Sequence, residues 1–324
     1  MKSIAVSGAS GFIGHHVAAA FRNAGATVRG FSRGDRHPDL IQLNYLDMDS
    51  AVRALDGVEV LVHVAGLAHV SSKSLDDPSA KYREANVKVA VGMARAGIQA
   101  GVRKFILLSS AGVLGQASPP GGFGDSSPAK PYDAYTASKW EAERQVLDAA
   151  GIHIAVSILR PPMVYGAGAP GSYRRLCNWI DRGLPLPLAS ITARRSFIGI
   201  RNLCDLLMTI AASDRDVPRD LPSMLVADSE PLTVADFARR IAGVRGRRVR
   251  LLPVPSWLLE RSLAAAGLQE EYRRLALPFE LAPSRAREIF EWRPPYSTNE
   301  ELSWALTEEP VDQSPGRPAP QRHE

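Results

Sequence analysis

Apolar runs of strand length alternate with stretches of helical period through the first half of the chain, the pattern of parallel strands joined by crossover helices. Ile4 to Val6 is the first such run. It passes straight into Gly8-Ala9-Ser10-Gly11-Phe12-Ile13-Gly14 and a helix that carries Val17 to Phe21 and ends near Gly25. Thr27 to Phe31 predicts a second strand and Ile41 to Leu43 a third, with a helix over Asp49 to Leu55. Val58 to Val64 is almost wholly apolar, as a strand covered on both faces must be. A long amphipathic helix from Tyr82 to Ala100 and a strand from Phe105 to Leu108 follow. Ala117 to Pro131 is rich in Gly, Pro and Ser and reads as a mobile loop. Beyond Gly166 the period loosens, and helices are predicted at Tyr173 to Gly183, Pro253 to Ala266 and Thr298 to Leu306. The apolar face of the Pro253 to Ala266 helix predicts packing on a core, with a membrane-surface helix as the alternative. The fold class expected is α/β, a doubly wound parallel sheet in residues 1–165 with a return segment near 196–215. A smaller C-terminal domain is expected in 166–308 and a disordered tail in 309–324, where Pro, Gln, Gly and charge predominate.

Composition narrows the class further. With 324 residues, 45% hydrophobic and 23% charged, the chain suits one large or two joined globular domains. Cys177 and Cys204 have neither metal-ligand spacing nor the density of a disulfide framework, so a reducing compartment and no metal are expected. Ile4 to Val6 is too short for a secretory signal core and no apolar run approaches the roughly 20 residues of a span, which predicts a cytoplasmic protein with no membrane span. The net charge of +5 suits an anionic ligand, yet the arginines are scattered. No basic block is interleaved with aromatics, so no nucleic-acid partner is expected.

The candidate chemistry begins at the glycine turn. Gly8 permits a tight bend, Gly11 lets backbone N–H groups approach a diphosphate at the helix N-terminus, and Gly14 lets the helix pack on the strand, which together suit a dinucleotide. At the end of the second strand Ser32 stands where an acid would select NAD, with Arg33 and Arg36 beyond it. A hydroxyl and a guanidinium suit the 2′-phosphate, so NADP(H) is favoured and NAD is the alternative. Asn44, Tyr45 and Asp47 leave the third strand where the adenine would lie. Ala65 and Gly66 leave the fourth strand with side chains small enough for the backbone to meet a cofactor. His63 reads as a packed strand-end residue, and His69 lies on the following loop. One helical turn separates Tyr135 from Lys139, so phenol and ammonium project from one face. Ser110 ends the preceding strand.

The G-x-x-G-x-x-G turn, Ser110, Tyr135-x-x-x-Lys139 and Leu159-Arg160-Pro161-Pro162-Met163-Val164-Tyr165-Gly166, in this order, resemble the extended short-chain dehydrogenase/reductases, the NAD-dependent epimerase/dehydratase family, over about residues 2–305. The resemblance implies a Rossmann-type fold with a small C-terminal substrate domain. It makes Tyr135 the acid/base, with Lys139 and the positive nicotinamide lowering a phenol pKa that is ordinarily near 10. Ser110 would hold the substrate oxygen, and Lys139 would also bond the nicotinamide ribose. Asn86, Pro162 and Val164 would border the cofactor along with Ser10, Phe12 and Ile13 of the turn. Ala111 and Gly112 stand where 4,6-dehydratases carry an Asp and a Glu, which argues against dehydration and leaves redox at one carbon, as epimerisation or net ketone reduction. The Asp181 to Phe197 region resembles the bacterial C4-epimerases and 4-keto-reductases acting on UDP-N-acetylated sugars for surface polysaccharide. There the residue matching Arg195 pairs with the diphosphate. Ser172 replaces a common Asn and Arg201 a common Asp. The readings that stay open beside a nucleotide-sugar enzyme are a reductase of a non-sugar carbonyl compound and a non-enzymatic cofactor-sensing protein. The resemblance also implies a homodimer through the helices bearing Asn86 and Tyr135, whose apolar positions are Val87, Val91, Ala94 and Ile98, and Ala142, Val146 and Ala149.

Overall fold

The apolar runs align side by side in the computed structural model, which describes residues 2–34, 39–68, 77–267 and 269–308. Seven strands form one sheet: β1 (Ser3–Ser7), β2 (Thr27–Ser32), β3 (Ile41–Gln42), β4 (Val60–His63), β5 (Lys104–Leu108), β6 (Ala155–Arg160) and β7 (Ser223–Leu225). Their order is β3-β2-β1-β4-β5-β6-β7 and every neighbouring pair is parallel. From β1 the chain winds outward first to one side and then to the other. The reversal leaves a crevice beyond the carboxyl ends of β1 and β4, the place where open α/β sheets hold ligands.

Both faces are covered, which is why the central strands are apolar through their middles, with Ser3, Ser7, His63 and Lys104 at their ends. On one face α1 (Phe12–Asn23) places Val17, Ala18 and Phe21 over Ile4, Val6 and Val62. On the other, α2 (Val89–Gln99) and α3 (Ala134–Ala150) place Met93, Ala94 and Val146 over Ala5, Leu61 and Phe105. Full burial of such side chains contributes about 1.5–3 kcal/mol each. After a short parallel pair, Met163–Tyr165 with Phe197–Gly199, helix α4 (Ile200–Ala212) returns to the sheet beside α1, with Leu203, Leu206 and Leu207 fully buried. A separate core gathers Tyr165, Tyr173, Phe197, Phe237 and Ile241, in which Phe197 stacks on Phe237 at 4.4 Å.

Several expectations are corrected. The helix expected from Tyr82 to Ala100 is interrupted: Pro78–Tyr82 is α-helical, Arg83–Lys88 is a wider π turn, and α2 follows. Residues 117–131 are fastened and do not form a free loop. Phe123–Gly124 pairs with Leu281–Ala282, and the Asp125 carboxylate accepts N–H groups from Leu225, Ser284 and Arg285 at 2.6, 2.8 and 3.0 Å. The helix predicted to turn an apolar face to a core, observed at Ser256–Ala265, does so through Leu259 and the half-buried Leu263, while Trp257 and Leu258 stay exposed. Of the stripe offered for a dimer, Val87, Val91, Ala94, Ala142 and Val146 are buried within the chain, while Ile98 and Ala149 are half-buried. The outer faces of α2 and α3 carry Arg95, Glu141, Arg144 and Asp148 instead, with Arg83 paired to Glu141 at 2.8 Å. Among the described residues no helix is long and apolar enough to cross a membrane.

Candidate active site

The glycine turn is held from below. Gly8 has φ +74°, and its N–H donates to the Tyr45 hydroxyl at 2.9 Å, which in turn donates to the Phe31 carbonyl at 2.8 Å. Tyr45 is therefore a buried strut under the turn, not a residue at an adenine edge. A Cβ on Gly8 would lie 2.7 Å from Ala65 Cα, and one on Gly14 only 2.1 Å from the Gly8 carbonyl oxygen. Gly11 differs. Its φ of −83° suits any residue, and the nearest atom to a Cβ there is 3.4 Å away. The fold explains Gly8 and Gly14 by itself, whereas Gly11 leaves open space beside the first N–H groups of α1, the cradle a diphosphate needs. Phe12 and Ile13 begin that helix, half-buried.

Ser32 lies at the end of β2, buried, with its hydroxyl 3.0 Å from Ser10 Oγ and 2.9 Å from the Gly34 carbonyl oxygen. It links the turn to the exit of β2. Arg33 is exposed beside it. Arg36 and His69 lie outside the described residues.

Beyond β4 the backbone at Ala65 and Gly66 is pinned by Asn86, which the π turn aims inward. Asn86 accepts from Leu67 N–H at 2.7 Å, donates to the Leu67 carbonyl at 3.1 Å, and donates to Ser138 Oγ at 2.9 Å. A Cβ on Gly66 would meet Asn86 Oδ1 at 2.9 Å and Lys139 Nζ at 3.1 Å, so the glycine allows both side chains to reach one point. His63 packs as its sequence suggests: its Nδ1 is 2.8 Å from Ser7 Oγ, its ring stacks on Phe105, and burial lowers its pKa to about 3.

Tyr135 opens α3, whose N-terminus is a capping box between Asp133 and Thr136. Its phenol is hydrogen-bonded to the Ser110 side chain and its ring lies 5.8 Å from that of Tyr82. Burial pushes the Tyr135 pKa up to about 12, the Ser110 bond opposes this, and Asp133 adds to the rise. Lys139 is buried and donates to the Leu108 carbonyl at 3.0 Å; desolvation lowers its pKa to about 8 while Glu143 opposes. The expected depression of the tyrosine is thus absent from the protein's own groups, because removal from water outweighs them.

The pair rests on a buried ionic support that sequence reading missed. Glu143 accepts from the Ser109 hydroxyl at 2.5 Å and from Arg160 Nε and Nη2 at 3.0 and 2.5 Å, and the Arg160 guanidinium lies over Trp140. Its signal was the spacing Tyr135, Lys139, Glu143: polar groups at successive turns of a face otherwise given to Ala142 and Val146. Gly112 is equally telling, since a Cβ there would fall 2.9 Å from Thr136 Cγ2. The chain is packed around the absence of the dehydratase acid. Pro162 follows the Pro161 carbonyl that accepts Ala111 N–H at 2.8 Å, and Val164 packs against the sheet core.

Arg195 comes to the same region from the smaller core. It donates to the Leu277 carbonyl at 2.7 Å and lies over the Phe279 ring; burial lowers its pKa to about 10, Tyr132 opposes, and Arg274 adds to the fall. Arg274 is 3.8 Å from the carboxylate of Asp133, two residues before Tyr135. Ser172 is exposed at the start of the Ser172–Asp181 helix, 3.3 Å from its own neighbour Arg175. Arg201 is held 3.6 Å from Glu301 and stacked on Tyr296 and Trp304. A cavity of 280 Å³ behind α3 is lined by Asp125, Glu143, Arg144, Arg160 and Arg285. The Glu143–Arg160 pair and the anchored Asp125 make it part of the scaffold. Among the described residues no cluster of His, Cys, Asp and Glu could hold a metal.

The model of the NAD dependent epimerase/dehydratase family matches residues 4–221, from the first strand almost to the last of the sheet. The chain belongs to this family. A UDP-glucose 4-epimerase of Vibrio cholerae is 30% identical over 308 residues, 92% of this chain and 93% of that one. A 3 beta-hydroxysteroid dehydrogenase/Delta 5-->4-isomerase of Mycobacterium tuberculosis is 28% identical over 266 residues, 76% of this chain and 70% of that one. The fold is shared with a solved UDP-glucuronic acid 4-epimerase from Bacillus cereus in complex with NAD, at 18% identity and a TM-score of 0.75, covering 95% of this chain and 98% of that one. The family is one of NAD-dependent enzymes, and this chain is an enzyme of that kind.

Proposed function

We propose that the chain is an NAD(P)-dependent epimerase or 4-keto-reductase acting at C4 of a nucleotide-activated, UDP-linked sugar. The observation that carries the reading is the Tyr135 phenol hydrogen-bonded to Ser110 with Lys139 one turn along the same helix. Tyr135 gives or takes the proton of the reacting hydroxyl, and Ser110 holds that oxygen. Lys139 keeps positive charge close to the phenol. The turn residues Gly8, Ser10, Gly11, Phe12, Ile13 and Gly14 would hold the dinucleotide with Ser32, Arg33, Ala65, Gly66, Asn86, Lys139, Pro162 and Val164. When bound, that group accepts and returns hydride and, oxidised, adds positive charge beside the phenol. This matters because the protein alone leaves Tyr135 near pKa 12. Arg195 is the candidate for the substrate diphosphate, a use that suits a guanidinium. Full-length similarity to a UDP-glucose 4-epimerase supports the substrate class.

Tyr135→Phe tests the assignment. It keeps the ring but removes the proton carrier, so turnover should fall roughly 10²-fold or more while cofactor affinity stays within a few-fold. Retention of most activity would exclude Tyr135. The substrate is found by mass spectrometry of product after incubation with a UDP-4-keto sugar plus NADPH, and separately with UDP-N-acetylglucosamine.

One observation favours a second reading, reduction of a non-sugar carbonyl: at two usual sugar-side positions Ser172 pairs with Arg175 and Arg201 with Glu301. The steroid dehydrogenase among the relatives supports this. A thermal shift with UDP separates the two, since only the sugar reading needs a nucleotide diphosphate at Arg195.

A further inference from the structure

The Ser256–Ala265 helix is the least buried helix of its size in this part of the chain, and its outward face is not polar. Leu259 points in and Leu263 is half-buried on the same side, so at 100° per residue the opposite face carries Trp257, Leu258, Arg261 and Ala265. Trp257 is 62% exposed and Leu258 43%, and Leu252, just before the helix, is 44% exposed. Large apolar side chains left in water within seven residues of each other mark a contact surface. Along the stretch 247–267 the charge is one-sided. Arg247, Arg248, Arg250 and Arg261 are exposed, against Glu260 as the acid of the stretch 247–267. No described residue forms an ion pair with any of the four arginines.

We propose that this face seats the protein on the surface of an anionic lipid bilayer. Tryptophan and leucine enter the headgroup boundary, and the arginines lie along it with their stems on the apolar surface and their guanidinium groups at the phosphates. Each basic group near such a surface contributes about 1 kcal/mol. The charge decides between occupants: a second copy would bring the same cationic cluster against itself, whereas an anionic bilayer complements both the apolar and the basic parts. The helix has ten residues, which suits lying in the interface and not crossing it.

The position of this face relative to the chemistry is defined. The next helix, Gln269–Ala276, packs against the Ser256–Ala265 helix and reaches the start of α3, where Arg274 lies 3.8 Å from the Asp133 carboxylate. A bilayer under Trp257 is therefore one helix away from the N-terminus of α3. The surface proposal does not depend on which substrate is turned over.

Co-sedimentation of the full chain with vesicles of phosphatidylcholine and phosphatidylglycerol, against phosphatidylcholine alone, tests it at low and high salt. Binding should require the anionic lipid and weaken steeply with salt. It should fall about tenfold or more in the double variant Trp257→Ser, Leu258→Ser, and by roughly 10²-fold in the triple variant Arg247→Gln, Arg248→Gln, Arg250→Gln. All these side chains are solvent-facing, so both variants should melt with the parent. Absence of binding, or binding unchanged in both variants, overturns the proposal. A concentration-dependent dimer that the Trp257 and Leu258 substitutions abolish, without vesicle binding, overturns it in favour of self-association.

Discussion

Three glycines within seven residues do different work, and single alanines separate them. Gly14→Ala drives a methyl to 2.1 Å from the Gly8 carbonyl oxygen and should destabilise the free protein by about 1–3 kcal/mol, seen as a lower melting temperature. Gly11→Ala meets nothing closer than 3.4 Å, so the free protein should melt within a degree or two of the parent, about what a helix N-cap change costs, while titration shows the dinucleotide bound more weakly. Equal melting of both variants would mean that Gly14 is not packed as described. Arg33→Ala addresses cofactor choice. Arg33 is exposed and free to meet a 2′-phosphate, so its loss should weaken NADPH much more than NADH. Equal weakening would leave Arg33 a solvated residue. At this scale much of the candidate site was legible: the spacing of Tyr135 and Lys139 and the strand-end place of Ser110 are local and need no partner to be seen. Tyr45 and Glu143 were not, because their roles depend on atoms 14 to 37 residues away in one case and on Ser109 and Arg160 in the other.

At the scale of elements, the fastened segment 117–131 shows where reading by composition fails. Gly, Pro and Ser made it look loose, yet its anchors stand about 100 and 160 residues further on, beyond any local pattern. Asp125→Ala removes one carboxylate from three backbone N–H donors. Hydrogen bonds to a charged group contribute about 1.5–3 kcal/mol each and are not additive, so a loss of about 2–4 kcal/mol in denaturant unfolding is expected. Hydrogen exchange at Leu225 and Ser284 should rise with it. Unaltered exchange there would mean the anchor is dispensable. The interrupted helix before α2 failed for a different reason: its apolar period continues unbroken through Arg83–Lys88, and the extra residue of a π turn leaves no mark in hydrophobicity. The strands at Ile4, Val58 and Phe105 were readable because burial on both faces makes their middles apolar, whereas Ala155–Arg160, with Ser157 and Arg160 in its run, was not predicted. Strand β7, three residues long at an edge, offered too little pattern.

For the whole molecule, two buried groups tilt stability with pH in opposite directions. His63 titrates near 3 when folded and near 6.5 when unfolded, so between these values the unfolded chain binds more protons and stability is lost as pH falls. Glu301 is raised from 4.5 to about 7, chiefly by burial and against the pull of Arg201. Here the folded chain holds the extra proton, and stability declines as pH rises from 4.5 to 7. Each effect is on the order of a few kcal/mol. Denaturant midpoints measured across pH 4 to 8 should lose part of their acid-side slope in His63→Gln and part of their opposite slope in Glu301→Gln. Slopes identical to the parent's would show that neither group titrates as its surroundings imply.

The anchoring of Asp125 also bears on how the protein is made. Ser110, Tyr135 and Lys139 all emerge in the first 140 residues, but the donors that fix Asp125 lie at 225, 284 and 285, and the buried side-chain amide of Asn202 is completed by Asp228 and the Tyr296 backbone. A ribosome-bound chain that has reached residue 221 thus carries Ser110, Tyr135 and Lys139 before the donors that hold Asp125 have been made. The order of synthesis thus puts the groups of the candidate site ahead of the donors that hold Asp125.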